Sequence, residues 1–298
     1  MENESVHKGE RTPARVTDEI LKEFDRKRSD PIGEENHNGK NNVILSKNLR
    51  LSLDTKHSCR NLSTVLYGHN NEKAYFAPNI LQANASYIVQ DVSGELYYSC
   101  EDYLKEHGYD VKCVTPEELS GITREEVSSF GFSKKALFVN QPMGDSTMAP
   151  EIAGFFSDAM KVLTFHYEKN ERPAVHTVHT EIMIPDQEIL PAIPVLSDKT
   201  GGEVLGTMRL YDVSLQIGIQ HRTAFMDLYP GTYPVIEGNS DSVIYLGDIG
   251  CKAWNEKNHA DPDAETFFME NECLVAVRGT QPYIDEQYDV YTDDRYRN

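Results

Sequence analysis

Residues 61–95 read NLSTVLYGHNNEKAYFAPNILQANASYIVQDVSGE. The run from Leu62 to Tyr67 is short, apolar and β-branched, which predicts a buried strand. A polar loop follows, Gly68-His69-Asn70-Asn71-Glu72-Lys73. A helical turn or two containing Leu81 comes next. A second buried-strand run, Tyr87 to Val89, ends at Gln90-Asp91 and breaks at Gly94. Strand, polar loop, helix and strand make one βαβ unit. Ligands of such sheets bind where the strands end at their carboxyl edge, so loop 68–73 is the candidate site.

A phosphate-binding loop at this place reads G-x-x-x-x-G-K-[ST]. Its backbone N–H groups cradle phosphates, its lysine reaches them and its hydroxyl holds Mg²⁺. Aligned on Lys73, the first glycine falls on Tyr67, the second on Glu72 and the hydroxyl on Ala74, with Gly68 one place inside the loop. A carboxylate ~4 Å from a phosphate charge is repelled by ~4 kcal/mol at an effective dielectric of 20. Pointing inward, Glu72 would therefore weaken nucleotide binding by about a thousandfold. A position that needs positive φ also suits glycine and not glutamate.

The rest of the chain alternates strand and helix. Thr17 can cap a helix carrying Ile20, Leu21 and Phe24, and residues 29–42 read as a linker. Val43-Ile44-Leu45 and Leu49 to Leu53 predict a small hairpin. Ser99 caps a helix through Leu104 that Gly108 stops. Tyr109 to Val114 and Lys135 to Gln141 read as strands. Thr115-Pro116 starts a helix, and Thr123 with Glu126 makes a capping box. The stripe Ile152, Phe155, Phe156, Ala159, Met160, Leu163 and Tyr167 predicts a core-facing helix over 149–169. Strands are expected at 175–180, 213–219, 243–246 and 274–277. This rhythm predicts an α/β sandwich with a mostly parallel central sheet and helices on both faces. The expected division is a flexible segment with one short helix over 1–42 and a single domain over 43–298.

Six blocks occur in one order: 42–62, 78–96, 136–147 (ALFVNQPMGDST), 213–220 (VSLQIGIQ), 242–247 (SVIYLG) and 278–290 (RGTQPYIDEQYDV). Together they resemble the TraG/TraD-type coupling proteins of type IV secretion and conjugation systems. The resemblance implies a RecA-like P-loop NTPase domain that assembles as a ring at the inner membrane, recruits DNA or protein substrate and hydrolyses ATP. It implies a Walker B strand ending in Asp-Glu. Here Thr180 stands at the Mg²⁺-orienting Asp position and Glu181 at the catalytic-base position. Gln220 matches the glutamine that senses the γ-phosphate, and Asp91 with Gly94-Glu95 matches a family turn whose proline is Val92 here. The family's all-helical insert between the equivalents of Val114 and Ala136 is reduced to residues 115–135. The implied site is thus a worn one: Gly68, Glu72, Lys73, Ala74, Asp91 and Thr180 as vestigial nucleotide contacts, Glu181 and Gln220 as catalytic remnants, and Mg-ATP as a weak ligand at most. Four readings follow: a pseudo-ATPase, an active divergent motor, a scaffold that docks on a coupling-protein ring or other secretion components, and a decayed fragment or a sequence that only mimics the family.

The formal net charge of −19 repels nucleic acid at long range, so direct DNA contact is not expected. Five cysteines, Cys59, Cys100, Cys113, Cys251 and Cys273, include no C-x-x-C pair, which fits a reducing cytosol rather than a zinc ribbon or disulfide framework. His176 and His179 lie three apart on an expected strand and so point to opposite faces; no metal site is expected. No apolar run approaches the ~20 residues of a membrane span. Since coupling proteins carry membrane helices ahead of the motor domain, the expectation is a cytoplasmic form, a truncated relative or a fragment, reaching the membrane only through partners.

Overall fold

The computed structural model describes residues 13–27, 42–55, 60–140, 149–165, 174–179, 182–184, 187–189, 208–228, 230–231, 233–258 and 268–292. In chain order the strands of the main sheet are β1 (Ala14–Arg15), β4 (Thr64–Tyr67), β5 (Ala85–Asp91), β6 (Asp110–Val114), β7 (Lys135–Asn140), β8 (Ala174–His179), β11 (Val213–Ile219), β12 (Ser242–Leu246), β13 (Glu272–Val277) and β14 (Tyr283–Glu286). They lie in the order β1-β14-β13-β12-β4-β11-β8-β5-β7-β6. From β12 to β6 every neighbour is parallel; β13 runs against both β12 and β14. The predicted hairpin is present as β2 (Asn42–Ile44) and β3 (Arg50–Ser52), and a second hairpin joins β9 (Ile182–Ile184) to β10 (Gln187–Ile189).

The two strands of the opening βαβ unit, β4 and β5, share this sheet, with β11 and β8 between them. Their side chains alternate between two cores, as the pleat requires. Val65, Tyr67 and Ile88 join one core with Ile152 and Phe156 of α5 (Ala149–Phe165), Phe225 of α6 (Arg222–Leu228), Ile236 of α7 (Tyr233–Asn239) and Cys251 of α8 (Gly247–Lys257). Leu66, Tyr87 and Val89 face the other, with Phe24 of α1 (Asp18–Lys27), Ile80 and Leu81 of α2 (Ala77–Leu81), and Leu96 and Leu104 of α3 (Glu95–Glu106). Helices therefore cover both faces, and a central parallel sheet buried on both sides needs continuously apolar strands. The stripe of α5 packs as core: Ile152, Phe156, Ala159, Met160 and Leu163 are buried, while Tyr167 lies outside the described residues.

Local signals explain most boundaries. The Ile20 N–H donates to Thr17 Oγ1 at 3.3 Å. Thr115 and Glu118 form a reciprocal capping box on a 3₁₀ turn, Pro116–Gly121. Thr123 Oγ1 accepts from the Glu126 N–H at 3.1 Å to open α4 (Arg124–Ser129). One start differs from expectation: α3 begins at Glu95, a turn before Ser99. Ser93 Oγ accepts the Glu95 N–H and Asp91 Oδ2 accepts the Tyr97 N–H at 2.7 Å, so the strand-end residues satisfy the first turn and Ser99 sits inside the helix. Residues 14–27, which the sequence groups with a flexible segment, supply the edge strand β1 beside β14 and seat Phe24 edge-on against Tyr283 at 5.4 Å.

Two polar residues of β8, His176 and Thr177, have partners. His176 Nδ1 pairs with Ser214 Oγ on β11, and the Thr177 hydroxyl donates to the Ser214 carbonyl at 3.1 Å. Gln216 Nε2 donates to Ser214 Oγ at 2.9 Å, and the Tyr75 hydroxyl donates to Gln216 Oε1 at 2.6 Å. With partners supplied by β11 and by Tyr75, these groups escape the usual cost of burial. Burial lowers the pKa of His176 to about 4, so it sits in the sheet as a neutral ring.

Candidate nucleotide site

Three strand ends meet at the carboxyl edge. Tyr67 of β4 pairs with Ile219 of β11, and Ile217 of β11 pairs with His179 of β8. Gly68 and Gln220 thus leave the sheet side by side, and the Gly68 N–H donates to the Ile219 carbonyl at 2.9 Å. Thr180 and Glu181, which follow the end of β8, lie outside the described residues.

The loop itself is short. Only Gly68, His69 and Asn70 separate β4 from the helical backbone that starts at Asn71 and continues as one π-helical segment, Glu72–Phe76, into α2. A phosphate cradle instead wraps several consecutive backbone N–H groups around the ligand. Here the loop is pressed onto the sheet. Gly68 has φ +122°, and a Cβ there would lie 2.3 Å from the Leu246 carbonyl oxygen. The Asn71 side chain sits over Gly218 of β11, where a Cβ would be 2.7 Å from its Nδ2. The two glycines let a tight loop close the space above the strand ends.

The residues aligned with the phosphate-binding motif separate to different places. Tyr67 is wholly buried on the α6–α8 side, its ring stacked on Tyr245 at 5.6 Å and its hydroxyl donating to Glu237. It is a core residue, and the turn glycine is Gly68. Ala74 is buried in the helix, its N–H donating to the Asn70 carbonyl at 2.8 Å. Lys73 is exposed and makes no hydrogen bond or ion pair among the described residues. Asp91 is buried, and its Oδ2 is committed to the first turn of α3.

Glu72 is half-buried and its carboxyl group is pushed up to about 7, first by burial and then by the nearby charges of Asp91 and Glu95; Ser93 and Lys73 oppose this. Burial likewise raises Asp91, against the N–H groups of Tyr97, Leu96 and Gly94. The repulsion expected from the sequence, for a Glu72 pointing inward, took its carboxylate as ionised. Near neutral pH it is instead about half protonated, which lowers the repulsion but leaves the site without excess positive charge.

The strand order and the helices on both faces of the sheet give a RecA-like α/β fold, and solved structures share it. The chain is similar to the bacterial conjugative coupling protein TrwBΔN70 in its unbound form, with 9% identity, a TM-score of 0.57, and coverage of 92% of this chain and 91% of that one. It is equally similar to the plasmid coupling protein TrwB in complex with the ATP analogue ADPNP, at 10% identity, TM-score 0.57 and 93% of both chains. The chain shares the fold of TrwB. The genome-packaging NTPase B204 of Sulfolobus turreted icosahedral virus 2 matches with 15% identity over 76% of this chain and 98% of that one, at TM-score 0.41. No protein-family model matches the chain, and no curated protein matches its sequence.

Two features went unread in the sequence. One is the cluster of Arg222, Glu237 and Lys257 beneath Tyr67, contributed by three separate helices. The other is the seat of Asn71; a glycine inside an apolar strand, as in Leu215-Gln216-Ile217-Gly218-Ile219, signals close approach of another group. Among the described residues no three or more His, Cys, Asp or Glu side chains are grouped to hold a metal ion. Nor, among them, is any helix long and apolar enough to cross a membrane.

Proposed function

We propose that this chain is a coupling-protein-like domain of a type IV secretion or conjugation system that has lost efficient ATP turnover. The observation that carries the reading is the collapsed loop: a three-residue link seated on Leu246 and Gly218 where a phosphate cradle would stand. Glu72 among Asp91 and Glu95 supports it, because a triphosphate brings several negative charges to a site with one lysine. Such a domain acts through its surface, within or upon a ring of active coupling proteins or other secretion components. Its net charge of −19 opposes DNA at long range, so gel-shift binding at ~0.15 M salt should be absent.

One observation favours a divergent motor instead. Lys73 is unengaged and Gln220 emerges beside Gly68, so a lysine and a γ-phosphate-sensing glutamine stand near one strand edge. In that reading Glu181 is the base and Mg-ATP the cofactor. Steady-state hydrolysis separates the two. The pseudo-ATPase reading expects no phosphate release above a buffer blank. Turnover that Lys73→Ala and Glu181→Gln each abolish would replace it with the motor reading.

A further inference from the structure

Beside Glu72 lies an open cleft of about 710 Å³. Its apolar wall is Ala77 and Leu81 from α2, Leu96 from α3 and Val290 from the C-terminal 3₁₀ turn, Val290–Thr292. Two tyrosines from different elements line it and remain in water: Tyr98 is 77% exposed and Tyr291 66%. Glu72 and Glu95 stand at the same cleft, with Lys73 as the single cation that lines it among the described residues. We propose that this cleft receives an arginine side chain presented by a protein partner, its guanidinium held by Glu72 and Glu95 and stacked on the rings of Tyr98 and Tyr291.

Four observations choose this occupant. The carboxylates outnumber the cation, so an anion would enter against the local field while a cation relieves it. Close to them Asp91 is fully buried, and its charge is felt at Glu72. Exposed tyrosines beside an apolar wall are the usual anchors of a protein interface. A planar guanidinium both stacks on such rings and pairs with carboxylates, which a strongly hydrated ammonium does less well. The cleft exceeds one side chain, leaving room for the backbone that carries it. This inference does not depend on the coupling-protein reading.

The test titrates N-acetyl-arginine amide into the full chain and follows the tyrosine ring signals by NMR, assigned with Tyr98→Ala and Tyr291→Ala. Both residues are exposed, so the variants should keep the native dispersion of the other signals. Saturable shifts of the two rings are expected, with N-acetyl-glutamine amide binding at least ~10-fold more weakly, since hydrogen bonds between charged groups are about twice as strong as neutral ones. Each tyrosine variant should lose about 2–5-fold, the range of an exposed cation–π contact. The groups facing Glu72 are Asp91, Ser93 and Glu95 from the β5–α3 side and Lys73 from its own helix. A bound cation favours ionised Glu72, so affinity should rise from pH 6 to pH 8, and Glu72→Gln should flatten that rise. No saturable shift overturns the proposal. So does an equal response to the glutamine amide, or an arginine response that survives Glu72→Gln and Glu95→Gln together, which would reflect diffuse attraction to an acidic surface.

Discussion

Glu72 and Glu237 are the same residue type at the two sides of one strand end, and the fold pushes them in opposite directions. Glu237 is largely and Glu72 partly removed from water, which alone disfavours the charged form. Glu237 sits on the α6–α8 side with Arg222 Nε at 3.1 Å, Lys257 Nζ at 3.0 Å and the Tyr67 hydroxyl. These partners overcome burial and hold its carboxyl below the ordinary value. Glu72, on the α2–α3 side, has Asp91 and Glu95 for neighbours and rises to about 7. The difference teaches that one side of this edge is an electrostatically closed structural cluster, and the other is open and short of cations. Chemistry that needs a charged ligand belongs to the second.

The largest effect should come from opening the closed side. Glu237→Ala leaves Arg222 and Lys257 facing each other without their carboxylate, and breaking a buried pair in this way costs about 3–5 kcal/mol. Urea unfolding should show it as a lowered midpoint with an unchanged slope. Wild-type stability from this group is present at neutral pH and is lost as pH falls through its depressed pKa. An unfolding free energy within about 0.5 kcal/mol of wild type, a surface-like value, would mean the cluster is not the closed unit described.

Next in size is the loop. Gly68→Ala places a Cβ against the Leu246 carbonyl oxygen at positive φ, and should destabilise by about 2–3 kcal/mol. A neutral outcome would show that the loop stands off the sheet, which would restore room for a phosphate. A Tyr67→Gly reversion toward the phosphate-loop pattern should not rescue anything. It removes a buried aromatic from the core, at about 3–5 kcal/mol.

The smallest effect should have the opposite sign. Glu72 binds its proton more tightly folded than unfolded, so its ionisation subtracts stability as pH rises from about 4.5 to 7. Glu72→Gln should therefore stabilise the protein at pH 8, by on the order of 1–2 kcal/mol after allowing for solvent screening. The gain should vanish at pH 4, where the wild-type side chain is already neutral. Equal melting temperatures at pH 8 would contradict the crowding of Glu72 by Asp91 and Glu95.

How much of this was legible in the sequence follows from the range of each interaction. Strand runs such as Val213–Ile219 and caps such as Thr123 with Glu126 are local, and they reappear where the residues place them. The βαβ reading put Gly68 at the carboxyl edge, and it is there. Alignment on Lys73 failed at Tyr67 because a motif counts residues, whereas the side of the sheet is set by alternation along β4. Odd positions on that strand face α6–α8, and Tyr67 follows Val65 into that core. The polarity of His176 and Thr177 looked wrong for a sheet centre because their partner, Ser214, lies on a strand nearly forty residues further on. The Glu72–Asp91–Glu95 crowding joins the first turn after β4 to the turn after β5, and no spacing rule brings those together.

One titration bears on the whole reading: a fluorescent Mg·ATP analogue added to the wild-type chain, to Lys73→Ala, and to a variant in which Gly-Ser-Gly is inserted after Gly68 and Glu72 is replaced by glycine. The wild-type and Lys73→Ala proteins should be indistinguishable and show no saturable binding, while the lengthened loop, with its backbone freed to turn N–H groups inward, should bind. Saturable wild-type binding that Lys73→Ala abolishes would contradict the collapsed-loop reading and return the site to an active nucleotide-binding one.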